Sequence, residues 1–377
     1  MNDYLVFLRF SIDEKAAKPS CLATMDWDGL MQFAEKQSVI GVVFHGINKL
    51  EADDPRPEKR KIIEWLSYYN TIKADNERVN RDSALLTYML YKKGGMKSCV
   101  LKGQGNAMMY PDPFMRMSGD VDLWTDKDDL EMLTYVKTVV PETGIDDYHH
   151  VDFPVLEQTP VEIHMMPSFM GNLFYERRLR RYFRRVRDEQ FKNFVVLPEK
   201  AGRICVPTDS FNRVFQMSHM MHHFFFEGLG LRQMVDYYYL LKRGCSEEQK
   251  KEDMKTIKWL SMRKFTEGMM WIMKEVLGLE EELLLTRPNE KIGRLLLNEA
   301  LEGGNFGHHE TRYAFKGKSV YAQYFVEIWR NLHFAWVFPS EAVFGRPLAR
   351  WWHMFYKWYL RRKVARAMKS STPSSGK

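Results

Sequence analysis

Cysteine is scarce in this 377-residue chain: four occur, Cys21, Cys99, Cys205 and Cys245, and no two form a C-x-x-C pair. That spacing argues against a zinc ribbon and against a dense disulfide framework, and it fits a reducing cytoplasm. Long apolar runs are missing too, so no segment is expected to span a bilayer. The opening M-N-D-Y-L-V-F-L-R-F-S is broken by Asp3 and Arg9, so it does not read as a secretory signal. There is no internal repeat. A disorder-type composition is confined to the ends, chiefly the S-S-T-P-S-S-G-K of residues 370–377, read as a flexible tail.

What the chain does have is a run of carboxylates set among apolar residues. In S-G-D-V-D-L, Asp120 and Asp122 are one residue apart on an expected strand, so they share one face while Val121 and Leu123 share the other. Further on, V-E-I-H places Glu162 between Val161 and Ile163 on a second expected strand. Three such groups repel one another unless a cation joins them. Mg²⁺ takes one or two carboxylates and fills its other positions with water and substrate phosphates, so a metal-bound nucleotide is the natural occupant.

The surrounding pattern is mixed. Helices are expected from Met25 to Gln37 and from about Glu64 to Lys93, the latter stopped by Gly94 and Gly95. K-S-C-V-L-K-G reads as a strand that delivers Lys102 and Gly103, and a short helical stretch follows as far as Met109. The turn Pro111, Asp112, Pro113 then leads to Arg116 and the aspartate strand. Asp126 is the expected N-cap of the next helix. H-H-V-D-F-P-V-L and P-V-E-I-H read as a hairpin with Glu162 and His164 on its second strand. From Thr208 or Asp209 onward the pattern is helical, with helices from Leu231 to Arg243 and from Glu247, Asn289 and Ser319.

Leu101, Lys102 and Gly103, Tyr110 with its Pro111–Pro113 turn, Arg116, S-G-D-V-D-L and V-E-I-H occur in that order. They are followed by His219, His222 and His223 and by the G-L-G-L-R-Q-M-V-D of residues 228–236. This series resembles the uncharacterised nucleotidyltransferase family of the polymerase-β-like superfamily. The resemblance implies an α+β fold: a polymerase-β-like nucleotidyltransferase core over 96–204, an N-terminal helical region over 1–95, and a C-terminal helical domain over 205–369. It also implies a metal-dependent enzyme, using Mg²⁺ or Mn²⁺, that moves a nucleoside monophosphate from an NTP to a hydroxyl acceptor and releases pyrophosphate. Asp120, Asp122 and Glu162 would be its catalytic, metal-holding carboxylates. Lys102, Gly103, Arg116, Ser118 and Gly119 would contact the phosphates, with His164, His223, Arg232 and Asp236 in support. The superfamily's usual Gly-Gly or Gly-Ser pair stands here as Gly103 and Gln104, farther than usual from Asp120.

Some of these residues also have plainer roles. Arg116 can form a structural salt bridge, and Arg232 and Asp236, four apart on a helix, can pair with each other. His219 and His223 share a helix face, but Met220 stands where H-E-x-x-H needs its Glu, which disfavours a metalloprotease. The net charge of +7 is concentrated in two segments. Residues 177–187 read as an amphipathic helix with an arginine outer face. Residues 350–369 combine a basic end with Trp351, Phe355, Trp358 and Leu360, expected to dock on the protein's own core. Either helix is a candidate contact for a polyanion, and the acceptor can be a protein, a small molecule or RNA. Two rivals follow from the same residues. A metal-dependent glycosyltransferase also uses Asp-x-Asp, and it predicts a nucleotide-binding βαβ unit before the motif. An inactive nucleotidyltransferase-fold protein would use the basic helices to bind RNA, membrane or a partner protein.

Overall fold

The computed structural model describes residues 2–305 and 320–371. Expected features at 306–319 and 372–377, including the helix start at Ser319 and most of the C-terminal tail, lie outside the described residues. The chain is α+β with a small mixed sheet. Helices α1 (Asp3–Ile12), α2 (Trp27–Lys36), α3 (Ile40–Asn48) and α4 (Lys59–Gly94) precede strand β1 (Ser98–Val100). After the four-residue α5 (Gln104–Ala107) come β2 (Val121–Thr125), α6 (Asp129–Val139), β3 (His150–Asp152) and β4 (Val161–His164). Then follow α7 (Leu173–Val186), the hairpin β5 (Phe194–Leu197) and β6 (Gly202–Cys205), and α8 (Asp209–Phe226), α9 (Leu231–Lys242) and α10 (Glu247–Trp259). Last come α11 (Arg263–Trp271), which runs on into a π-helical turn, α12 (Glu290–Gly303), α13 (Val320–Leu332) and α14 (Arg346–Ser371).

The four-stranded sheet has the order β1-β2-β4-β3, with β2 and β4 parallel and both outer pairs antiparallel. Val121, Leu123, Val151, Val161 and Ile163 turn to one face and pack with Val79, Leu86 and Leu90 of α4 and Leu133 and Val136 of α6. The opposite face carries the acidic and histidine side chains. Residues from α1–α3 and from α8–α12 share a second, larger apolar core. It is also crossed by polar ties: Gln37 donates to the Ala300 carbonyl at 3.0 Å, and Tyr239 donates to the Ile12 carbonyl at 3.1 Å.

Several local expectations are met. Gly95, at φ 59°, caps α4 in the left-handed conformation that glycine adopts without steric penalty. Thr208 caps α8 by accepting from the Phe211 N–H, and Asn289 caps α12. On α7, Leu179, Tyr182 and Phe183 are buried while Arg177, Arg181, Arg184 and Arg185 point outward.

Two expectations are corrected. The cap of α6 is Asp128, whose carboxylate accepts from the Glu131 N–H at 2.9 Å; Asp126 still belongs to the sheet ladder, with its N–H on the Lys97 carbonyl and its carboxylate on the Lys97 N–H. On α14, Leu360 docks as expected, but Trp351, Phe355 and Trp358 stand exposed. The docked face is defined instead by His353, Tyr356, Leu360 and Val364, spaced at helical intervals; Tyr356 donates to Asp129 at 2.7 Å. The three other aromatics therefore fall on the far side.

Ahead of α14, Glu341 is fully enclosed in a π-helical turn, Ser340–Gly345, and its carboxylate accepts from the Gly171 N–H at 2.9 Å and the Asn172 N–H at 3.3 Å. Burial pushes its pKa up to about 7, because the two N–H donors offset only part of the desolvation. A carboxyl raised in the folded state holds its proton where the unfolded chain has lost it, so stability falls as pH rises from about 4.5 to about 7. Thermal unfolding across that window should show a loss of about 3 kcal/mol from this residue. In Glu341→Gln that part of the pH dependence should vanish, and an unchanged profile would refute the assignment.

Candidate active site

The site is made by strand register. In the parallel pair, Asp122 of β2 lies opposite Glu162 of β4, so their side chains emerge side by side on the polar face. Asp120 sits immediately before β2, where the Val121 N–H bonds the Pro160 carbonyl. Carboxylate oxygens of Asp120, Asp122 and Glu162 lie within 4.8 Å of one another. From the other side, the Leu101 N–H extends the β1 ladder to the Asp122 carbonyl, which brings the Lys102 ammonium to 3.1 Å from Asp122 Oδ1.

Electrostatics at this cluster are balanced by two cationic groups. Burial alone would lower the Lys102 pKa, but Asp122, Asp120 and Glu162 together raise it, so the ammonium stays charged. His164 Nε2 lies 2.8 Å from Asp122 Oδ1 and 3.3 Å from Glu162 Oε2. Against the desolvation of a nearly enclosed ring, those two contacts lift its pKa to about 9. Burial pushes both Asp122 and Glu162 upward, yet Lys102 and His164 for the first, and His164 and His150 for the second, bring them below the ordinary carboxylate range.

A narrow cleft opens over this face. One wall is Lys102, Gly103, Gly119, Asp120 and Asp122, and the other is Phe215, Gln216, His219 and Met220 of α8 with Arg232 and Gln233 of α9. Gly103 turns with φ at 59°, a conformation that suits glycine, and leaves the main chain open to the cleft. Gln104, which follows, points away and is spent on Asn76 and Asn80.

The structure separates the remaining expected residues. Arg116 lies at the cleft, but its fork is committed: Nε and Nη2 each reach an Asp236 oxygen at 2.8 Å, and Nη1 donates to the Met117 carbonyl. Asp236 also accepts from Tyr110 at 2.6 Å and from Asn106 at 3.1 Å. The fork of Arg116 is therefore spent on its structural salt bridge to Asp236, and Arg232 lies near enough to add its charge to the same carboxylate. Arg232 donates to the Met117 carbonyl at 3.3 Å and faces the cleft beside Gly119. Ser118 is half-buried and does not line the cleft. His219 does line it, and His223 stands behind, with Nε2 3.0 Å from His219 Nε2 and Nδ1 2.8 Å from Glu227.

Sequence reasoning missed Asp147, His149, His150 and Glu227. The antiparallel register sets His150 opposite His164, and its Nδ1 reaches 3.4 Å from Glu162 Oε2. The H-H pair was visible on an expected strand, but which face His150 joins depends on the register across the 153–160 connection.

The sequence model described as "Uncharacterised nucleotidyltransferase" matches residues 23–278. The chain belongs to the uncharacterised nucleotidyltransferase family. No curated protein and no solved structure gives a match. The nucleotidyltransferase match spans every strand among the described residues and runs from the residues before α2 through the π-helical turn after α11, so α12–α14 lie beyond it. The three converging carboxylates form an all-oxygen donor set of the kind that hard divalent cations take, so the residues fit such an ion. Among the described residues, no helix is long and apolar enough to cross a membrane.

The Arg116–Asp236 pair ties the approach to β2 onto α9, and both partners are buried. Arg116→Ala would leave Asp236 enclosed without its cation, and urea unfolding should register a loss of about 3–5 kcal/mol. Replacing both by apolar residues of similar volume should cost much less than the sum of the single changes. Additive losses would show that the two do not act as a pair.

Proposed function

We propose that this nucleotidyltransferase transfers a nucleoside monophosphate from an NTP to a hydroxyl acceptor, on a polymerase-β-like core in which Asp120, Asp122 and Glu162 hold Mg²⁺ or Mn²⁺. The observation that carries the reading is the parallel register of β2 and β4, which sets Asp122 beside Glu162 with Asp120 close by, Asp120 and Asp122 lining a cleft edged by Lys102. A divalent ion bound by these carboxylates would supply charge neutralisation at the phosphates and activation of the acceptor hydroxyl.

The chain's own residues do the rest. Lys102, kept charged by its acidic neighbours, places a positive charge beside the phosphates. Arg232 faces the same cleft and adds a second cation. The main chain at Gly103 approaches the phosphates without a side chain in the way. Glu162, with its pKa lowered, is a hydrogen-bond acceptor rather than a strong base, so it orients the attacking hydroxyl. The acceptor oxygen bonds the α-phosphorus, the bond to the β-phosphate breaks, pyrophosphate departs, and the hydroxyl proton passes to solvent. Helices α8 and α9 form the wall that shields this chemistry. A reducing cytoplasm suits four cysteines that all remain free thiols.

The glycosyltransferase alternative loses its support. Among the described residues before Asp120, only β1 is a strand, and it runs antiparallel to β2, so no βαβ unit precedes the motif.

Incubation of the protein and cell extract with each NTP labelled at the α-phosphate should give label on an acceptor only with Mg²⁺ or Mn²⁺. Asp120→Ala with Asp122→Ala should lower the rate by roughly 10²–10³-fold or more while the protein stays folded. Metal-independent labelling, or labelling unchanged in that double variant, would sink the proposal.

A further inference from the structure

Beside the three carboxylates lies a second group of donors with different chemistry. His150 Nδ1 is 3.4 Å from Glu162 Oε2, and His164 Nε2 is 3.3 Å from the same oxygen. The three donor atoms lie within 4.8 Å of one another. Zn²⁺ binds imidazole nitrogen and carboxylate oxygen at about 2.0–2.2 Å, which makes the edges of its tetrahedron about 3.3–3.6 Å. The two contacts made by Glu162 already have that length.

The imidazoles are also held in place around this point. His149 Nδ1 is 2.6 Å from Asp147 Oδ1, so that nitrogen carries the hydrogen of the bond, and its Nε2 lies 3.4 Å from His150 Nδ1. His164 Nδ1 lies 3.4 Å from the Met166 carbonyl, the kind of outer contact that orients a metal-binding imidazole.

We propose that His150, Glu162 and His164 form a metal site of their own, sharing Glu162 with the Asp120–Asp122 cluster and taking a borderline transition ion, Zn²⁺ by class, in preference to Mg²⁺; the ion takes the place of the Nε2 hydrogen that His164 otherwise shares between Asp122 and Glu162, and that proton leaves to solvent. Two imidazoles and one carboxylate suit zinc, whereas Mg²⁺ favours oxygen donors. Three protein ligands leave a coordination position open, and the ligand class it would accept is an oxygen of water, hydroxyl or phosphate. The site rests on side-chain geometry and stands whether or not nucleotidyl transfer is detected.

Cobalt(II) tests it, because its visible absorption reports ligand type and geometry. Full-length protein stripped with a chelator should bind Co²⁺ saturably and show d–d bands of a low-coordinate site containing nitrogen. Stoichiometric Zn²⁺ should displace the ion, and millimolar Mg²⁺ should not. Because His164 is almost fully enclosed, His150, which is more accessible, is the residue to change: His150→Ala should weaken Co²⁺ binding roughly 10–100-fold or abolish it. His150→Asn, with its thermal unfolding matched to wild type, guards against a folding defect. Asp120→Asn should keep the bands, which separates this site from the carboxylate cluster used in transfer. The proposal is overturned if wild type shows no such bands, if Mg²⁺ displaces the ion, or if Asp120→Asn removes binding while both His150 variants retain it.

Discussion

Everything at this site depends on holding like charges together. Three carboxylates within 4.8 Å repel one another strongly in a protein interior, where screening is weak. The fold forces them into proximity through backbone bonding, since the β2–β4 register cannot place Asp122 anywhere but next to Glu162. It then answers the repulsion with Lys102 and His164, each within 3.1 Å of Asp122. A divalent cation would do the same work better, and that stored electrostatic demand is what gives the cluster its affinity for positive charge. The chemistry proposed for the cleft follows from this one constraint.

The two apolar cores explain how the cluster is kept in place. Helix α4 serves both: Trp65 and Ile72 belong to the large helical core, while Val79, Leu86 and Leu90 support the back of the sheet. The polar face of the sheet therefore meets α8 and α9 at a fixed separation, and the cleft is the space between them. The buried Arg116–Asp236 pair, with Tyr110 and Asn106 also bonded to Asp236, fixes the loop entering β2 against α9. Asp120 stands four residues beyond Arg116 in that loop, so a buried ion pair outside the carboxylate cluster helps set where one of its members stands.

What was legible in the sequence was what depends on near neighbours. Asp120 and Asp122 fall together because a strand has a period of two, and Glu162 stood out because Val161 and Ile163 flank it. Gly95, Thr208 and Asn289 announced helix ends through local capping chemistry. Long-range partners were not legible. Arg116 reads as a phosphate ligand until Asp236, 120 residues away, is found on its fork. His150 joins the site only through a hairpin register that its connection does not specify. On α14, Trp351 and Phe355 resemble a docking stripe because aromatic residues abound on that helix. The face that packs was chosen by partners on α6 and in the 145–148 segment.

Those α14 contacts bear on the site. Lys357 donates to the Asp146 carbonyl and Arg361 to the Ile145 carbonyl; Trp352 donates to the Tyr148 hydroxyl, and His353 stacks on the Tyr148 ring at 3.7 Å. The Tyr148 hydroxyl in turn donates to Glu176 on α7. Residues 145–148 are thus clamped between two helices, and the next two residues are His149 and His150. Helix α14 lies beyond the region matched by the nucleotidyltransferase family model and α7 lies within it, so one arm of the clamp comes from outside the segment that supplies the carboxylates. The imidazole side of the site is accordingly braced in part by a stretch of chain separate from the one that supplies the acidic side. Loosening α14 would reach the site by two routes: through residues 145–148 to His149 and His150, and through Leu360 and Val364 to the core behind Val161 and Ile163, which flank Glu162.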